Sequence, residues 1–260
     1  MAYLIAITGK GGTGKTTIAA FLTRLFTEQG IRPVLAVDAD PNSTLAPLLG
    51  VAQGPTISDI REEMLKAKGN VTGVSKERIL KAKLEERIVE SNGFDLLTMG
   101  RPEGQHCYCF VNSLLRQALS SLKAAYKATI VDNEAGMEHL SRMNTDSIDC
   151  LVVVSEPTVV GAKTAARILE LTASLPVTIG KRVLVWNKVT ASGVPKDAQA
   201  AVQPCKFDDR LSLPYDDGVA QFTAAEKSVF TARVPHEFLK LVECCTVSSS
   251  MASGKAKGKT

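Results

Sequence analysis

Gly9-Lys10-Gly11-Gly12-Thr13-Gly14-Lys15-Thr16-Thr17 decides the reading of this chain, because of what flanks it. Before it, Ala2 to Thr8 (AYLIAIT) form an apolar run of strand length. After it, Ile18, Phe21, Leu22, Leu25 and Phe26 recur on one helical face. Glycines that join a strand to a helix in this spacing make a phosphate-binding loop, whose backbone N–H groups surround the β-phosphate where the helix dipole favours anions. Gly11, Gly12, Thr13, Gly14, Lys15, Thr16 and Thr17 are therefore expected to contact ATP or ADP. Lys15 reaches the β- and γ-phosphates, and the Thr16 hydroxyl ligates Mg²⁺.

A second lysine, Lys10, stands at the mouth of the loop. It is poorly placed for its own γ-phosphate, which the loop encloses, but it can reach a nucleotide presented by a second subunit. The KGGTGKTT form resembles the deviant phosphate loop of the MinD, ParA and NifH group of dimerising ATPases. The resemblance implies that Lys10 crosses a face-to-face homodimer and neutralises charge in the partner's site, as an arginine finger does. Lys10, Lys15 and Asp40 are the expected catalytic residues.

Downstream, β-branched apolar runs at Val34–Val37, Phe94–Met99, Ala128–Val131, Leu151–Val154 and Val183–Trp186 alternate with helical patterns such as Val111–Ala125 and Val159–Ala173. This alternation predicts an α/β fold, a mostly parallel doubly wound sheet with helices on both faces and ligands at the carboxyl ends of its strands. The charged stretch from Val51 to Asn92 reads as a helical excursion covering the sheet. The expected organisation is one ATPase domain over residues 1–246 and a flexible, low-complexity tail over residues 247–260.

The second run delivers Asp38-Ala39-Asp40-Pro41-Asn42. Two carboxylates one residue apart on a strand point the same way, so both can face the phosphates; the same cluster also suits a turn. In the resembling ATPases the first aspartate supports the Mg²⁺ shell and the second orients the attacking water, which assigns those roles to Asp38 and Asp40. Ile130-Val131-Asp132 places a further aspartate at a strand end, with Gly136 four residues on. That is the arrangement by which an aspartate holds Mg²⁺ and a glycine lets the backbone answer the γ-phosphate. The group usually carries proline where Glu134 stands, a departure that points to a specialised branch. Asn187-Lys188 resembles the group's base-binding pair, while also suiting a turn or helix cap, and Pro214-Tyr215-Asp216 is placed to close over the adenine.

Composition narrows the partners. Hydrophobic residues make up 45% and charged residues 22% of the 260 residues, an ordinary globular balance. The formal charge of +4 owes three lysines (Lys255, Lys257, Lys259) to the tail; without them 28 basic residues (31 less 3) face 27 acidic ones. That leaves no strong nucleic-acid footprint. No segment has the apolar length to span a bilayer, and no leader precedes the first strand, so a cytoplasmic protein binding neither nucleic acid nor membrane is expected. Of six cysteines, Cys150 and Cys244-Cys245 suit packing and Cys205 is uninformative.

Cys107 and Cys109, in His106-Cys107-Tyr108-Cys109, are the exception. In extended backbone a Cys-x-Cys spacing directs both sulfurs to one side, yet a thiolate metal site commonly wants four ligands. Two chains meeting through their nucleotide sites can supply two such pairs. Small buried cysteines arising by chance are the plainer alternative, and His106 suits a bystander better than a ligand.

Taken together, KGGTGKTT, Val37-Asp38-Ala39-Asp40-Pro41, Cys107-Tyr108-Cys109 and Asp132-Asn133-Glu134-Ala135-Gly136-Met137-Glu138-His139-Leu140 followed by Arg142 closely resemble CooC-type proteins. The resemblance, over about residues 2 to 245, implies an ATPase that assists nickel insertion, with Cys107 and Cys109 binding Ni²⁺ or Zn²⁺ at the dimer interface. Its client would be carbon monoxide dehydrogenase or acetyl-CoA synthase. Glu138 and His139 would be switch or partner-contact residues, helix capping being the other reading. From ligand type alone zinc serves at least as well as nickel. Two rivals share the same loop: a partition or positioning ATPase, and an iron–sulfur scaffold or reductase holding a cluster on the same thiols.

Overall fold

The architecture was obtained as a computed structural model. It describes residues 3–66, 76–101, 107–122, 124–135 and 147–246, without the side chains of residues 61, 62, 64–66, 76, 77 and 107–110. His106, Gly136, Glu138, His139, Arg142 and the tail therefore lie outside the described residues.

Strand β1 (Tyr3–Gly9) runs through the glycine loop into helix α1 (Lys15–Glu28). There follow β2 (Val34–Ala39), α2 (Leu45–Leu49), α3 (Ile57–Lys66), α4 (Lys76–Glu85), β3 (Ile88–Glu90), β4 (Phe94–Thr98) and α5 (Cys107–Leu122). The second half comprises β5 (Ala128–Asn133), β6 (Ser147–Ser155), α6 (Val159–Thr172), β7 (Thr178–Val189), α7 (Lys196–Val202), β8 (Asp209–Pro214), α8 (Asp217–Ala224) and α9 (His236–Cys245).

The strands form one sheet in the order β3-β4-β2-β5-β1-β6-β7-β8. Every pairing is parallel except that of β3 with β4. The expected α/β sheet is present, with two additions. The three-residue β3 runs antiparallel within the predicted excursion, and β8 closes the far edge. Alternate strand residues feed two cores. Ile5, Ile7, Val34, Ala36, Val152 and Val154 pack under α1, α2 and α9. Leu4, Ala6, Leu35, Val37, Leu151 and Val153 pack under α3, α5, α6 and α7.

Helix α1 is fixed by burial. Ile18, Phe21, Leu22 and Phe26 are fully enclosed, and the Phe21 ring meets Phe238 of α9 at a centroid distance of 4.6 Å. At about 25 cal/mol per Å² of apolar surface, each such side chain contributes roughly 1.5–3 kcal/mol against the entropy of ordering. This anchored helix holds its own N-terminus, and hence the loop, at the carboxyl end of the sheet. Among the described residues no helix is long and apolar enough to cross a membrane.

Candidate functional site

The loop is shaped by close approach. A Cβ on Gly9 would stand 2.2 Å from the Val154 carbonyl oxygen of β6, so any side chain there would push the loop off the sheet. Gly14 takes a left-handed φ of 94°, and a Cβ on it would lie 2.4 Å from Asn187 Nδ2. Within the loop the Lys10 carbonyl is a hub. It accepts from Thr13 Oγ1 at 2.9 Å and from Lys15 Nζ at 3.3 Å. Lys15 is 7% exposed, a buried ammonium resting on a backbone oxygen where a phosphate would serve it better. The side chain of Lys10, by contrast, is exposed, as a residue meant to reach another molecule must be.

Beside the loop, Asp38 of β2 and Asp132 of β5 occupy paired positions, both on the α1 face of the sheet. Asp38 is fully buried; its Oδ1 accepts from the Asp40 N–H at 3.2 Å and its Oδ2 from the Leu45 N–H at 2.9 Å. Burial still pushes its carboxyl up to about 6 against those two bonds. Asp132 is 1% exposed, and among the described residues neither carboxyl oxygen meets a hydrogen-bond partner. Burial drives its pKa up to about 7, the nearby Asp38 adding to it, while the Thr16 hydroxyl and the Lys15 ammonium pull it back. The hydroxyl stands close without reaching hydrogen-bonding geometry at either oxygen. Two orphaned carboxylate oxygens beside a hydroxyl are hard donors, the set that suits Mg²⁺. Asp132 and Thr16 thus fit the expected ion directly, whereas Asp38 also organises the following loop. Asp40 is partly exposed, its Oδ1 held by the backbone N–H and Nδ2 of Asn42, each at 2.9 Å.

On the β7 side of the loop, the strand runs further than the sequence pattern indicates. The strand does not end at Trp186 but continues to Val189 through a bulge: between the paired positions Trp186↔Ser212 and Val189↔Pro214, β7 advances three residues and β8 two. The extra residue lets both Asn187 and Lys188 turn onto the loop instead of alternating faces. Asn187 Nδ2 donates to the Thr13 carbonyl at 2.8 Å and Lys188 Nζ to the Gly12 carbonyl at 2.7 Å. Gly14, Thr17, Asn187, Pro214, Tyr215 and Val219 line a groove between the loop and α8. Tyr215 is 51% exposed at its rim, and Asp216 caps α8 by accepting from the Val219 N–H at 2.9 Å.

The cysteine pair requires a correction. Cys107 and Cys109 stand in the first turn of α5, not in extended backbone. Positions two apart on a helix are separated by roughly 200° about its axis, so the one-sided chelate argued from strand geometry does not follow. Among the described residues no group of three His, Cys, Asp or Glu is arranged to hold a metal. Cys150 and Cys245 are buried in the core, as expected of packing residues.

Two residues at the site had no role assigned from the sequence. Glu156, just past β6, pairs with Lys188 at 2.9 Å; a carboxylate following an apolar run at a strand's carboxyl end was the available signal. Asn133 is fully buried and ties β5 to β1 through the Ile7 carbonyl at 2.9 Å; among the described residues its own Oδ1 has no partner.

The chain matches the family model described as the CobQ/CobB/MinD/ParA nucleotide binding domain over residues 4–229. It is 41% identical over 189 residues to an uncharacterised ATP-binding protein of Methanocaldococcus jannaschii, covering 72% of this chain and 74% of that one. It is 35% identical over 238 residues to the carbon monoxide dehydrogenase accessory protein CooC of Rhodospirillum rubrum, covering 83% and 84%. Among solved structures, the cell division ATPase MinD of Pyrococcus furiosus superposes with a TM-score of 0.68 at 21% identity, over 94% of this chain and 97% of that one.

Proposed function

The chain belongs to the CobQ/CobB/MinD/ParA nucleotide-binding family, and from that membership we propose that it is an ATP-hydrolysing metallochaperone, a homodimer that loads Ni²⁺ or Zn²⁺ on Cys107 and Cys109 and hands nickel to a client enzyme. The client would be a carbon monoxide dehydrogenase or an acetyl-CoA synthase. The observation that carries the reading is the Cys107-Tyr108-Cys109 segment at the start of α5, in a chain 35% identical to the Rhodospirillum rubrum accessory protein over most of both lengths.

In this reading the loop from Gly11 to Thr17 binds the phosphates, and Lys15 leaves the Lys10 carbonyl for the γ-phosphate. Thr16 and Asp132 would hold Mg²⁺, with Asp38 behind them; the ion supplies neutralisation of phosphate charge. A Pyrococcus horikoshii MinD relative in fold was solved with Mg-ADP. Asp40 orients water, and Lys10 enters the partner's site. Asn187 and Pro214 bound the adenine. Members of this family commonly dimerise, and a face-to-face dimer brings two cysteine pairs toward one another. Loading would then unwind the first turn of α5 so that both sulfurs of each chain face the ion. Losing the γ-phosphate removes the charge that Lys10 and Asp132 answer, which loosens the dimer and releases the cargo.

Linkage supplies the test: if ATP and metal stabilise the same dimer, each must tighten the other's binding by the same factor. Titrating Zn²⁺ or Ni²⁺ into the protein with and without a non-hydrolysable ATP analogue measures it. Equal affinities would remove the coupling. A partition-type switch is the second reading, supported by the 27% identity over 168 residues to the carboxysome distribution protein A of Synechococcus elongatus. Salt-dependent DNA binding would identify that alternative.

A further inference from the structure

We propose that Lys188, oriented by Glu156, is a positioning residue for the phosphate loop: it sets the loop's backbone before nucleotide arrives and acts on the phosphates through that backbone, not on the base. The inference rests on the nucleotide binding that family membership carries and is independent of any metal role.

Lys188 has a left-handed φ of 60°, a conformation that side-chain-bearing residues other than Asn and Asp rarely adopt. The β7 bulge places it there, next to Asn187. The two residues then grip consecutive loop carbonyls, Thr13 and Gly12, at 2.8 and 2.7 Å. A carbonyl and the following N–H share one rigid peptide plane and point in opposite directions. Fixing the Gly12 and Thr13 carbonyls toward β7 therefore aims the N–H groups of Thr13 and Gly14 away from β7. That is the preorganisation an anion cradle needs.

Among the described residues Lys188 Nζ has one further acceptor, Glu156 Oε1, at 2.9 Å. The two side chains are 42% and 43% exposed, so the ion pair by itself is weak. Its role is to hold a flexible ammonium on the Gly12 carbonyl. The charge-assisted bond to that carbonyl is the stronger element. With its ammonium engaged by two oxygens, Lys188 is committed to the loop even though its stem borders the groove.

Base reading and loop positioning separate on a ligand that has no base. Calorimetric titration of the full chain with ATP and with inorganic tripolyphosphate, both with Mg²⁺, is run on wild type, Lys188→Asn and Glu156→Gln. Asn tolerates the left-handed backbone, and Gln keeps the shape of Glu156. Positioning predicts that Lys188→Asn weakens both ligands by the same factor, about tenfold. Glu156→Gln should weaken both by about two- to threefold, with melting temperature and binding stoichiometry unchanged in each variant. A loss confined to ATP would make Lys188 a base reader and overturn the inference. So would unchanged affinities, or a loss of stoichiometry and melting temperature without a change in affinity. Wild type binding neither ligand would overturn it together with the nucleotide binding beneath it, and so is told apart from the other outcomes.

Discussion

Asp38 and Asp132 face each other across the β2–β5 ladder at the same register position, yet among the described residues one carboxylate is satisfied by two backbone N–H groups and the other by none. The difference divides their work. Asp38 ties the end of β2 to the start of α2 and so shapes the loop that carries Asp40. Asp132 would be held ready for a charge that nucleotide and Mg²⁺ bring, and its burial would cost the empty protein stability.

Replacing Asp132 by Asn should therefore raise the stability of the nucleotide-free protein, by on the order of 1–3 kcal/mol, because an unpaired buried carboxylate is removed. The same change should abolish Mg²⁺-dependent nucleotide binding. Thermal melts with and without Mg-ADP check both halves: the variant melts higher than wild type when empty and gains nothing from the ligand.

Gly14→Ala should cost about 1–3 kcal/mol of stability. The added Cβ both opposes a φ of 94° and lies 2.4 Å from Asn187 Nδ2, which must leave the Thr13 carbonyl. Nucleotide affinity should fall with it, measured by titration with a fluorescent ADP analogue.

Lys10→Gln should leave nucleotide affinity near that of wild type, because the side chain is exposed and lies outside the closed loop. Turnover should fall by about 10³-fold, as for loss of a charge-neutralising finger, and ATP-dependent association of two chains should be lost. Phosphate release and light scattering measure the two.

At the other end of the molecule, Lys181 Nζ lies 2.7 Å from Asp209 Oδ2 between β7 and β8, and that bond holds the Asp209 carboxyl below its ordinary value. A lowered carboxylate contributes stability that is complete above its unfolded value, near 4, and is lost as pH falls through the lower folded value. With the pair partly exposed, Asp209→Asn should cost less than about 1 kcal/mol at pH 7. The penalty should shrink as the pH is taken below 4. Urea unfolding at pH 7 and pH 3 gives the comparison.

What was legible in the sequence followed from periodicity and from motifs with fixed spacing. The β1–loop–α1 unit is announced by AYLIAIT, the glycines and the Ile18–Phe26 stripe, and Asp38 and Asp132 were placed at strand ends because the apolar runs before them are unbroken. Strand β3 was hidden because three residues, Ile88–Glu90, are too few to show a period of two. Strand β8 sits on the sheet edge with only Leu213 buried, so its polar face reads as loop. The β7 bulge leaves no periodic trace at all, so the bond from the Lys188 ammonium to the Gly12 carbonyl was not legible. Cys-x-Cys carries no conformational signal of its own; the helical run from Val111 simply extends four residues further toward the N-terminus than the pattern indicated.

Metal shared between two chains is what a metallochaperone of this kind requires. Anaerobic size-exclusion chromatography with mass and metal analysis, adding Ni²⁺ or Zn²⁺ with and without ATP, should give a dimer holding about one metal per two chains, as a closed four-thiolate centre requires. The Cys107→Ser/Cys109→Ser double variant should lose that metal and the metal-dependent part of dimerisation. Unchanged metal content and unchanged dimerisation in the double variant would contradict the metallochaperone account and leave a nucleotide-driven switch of another kind.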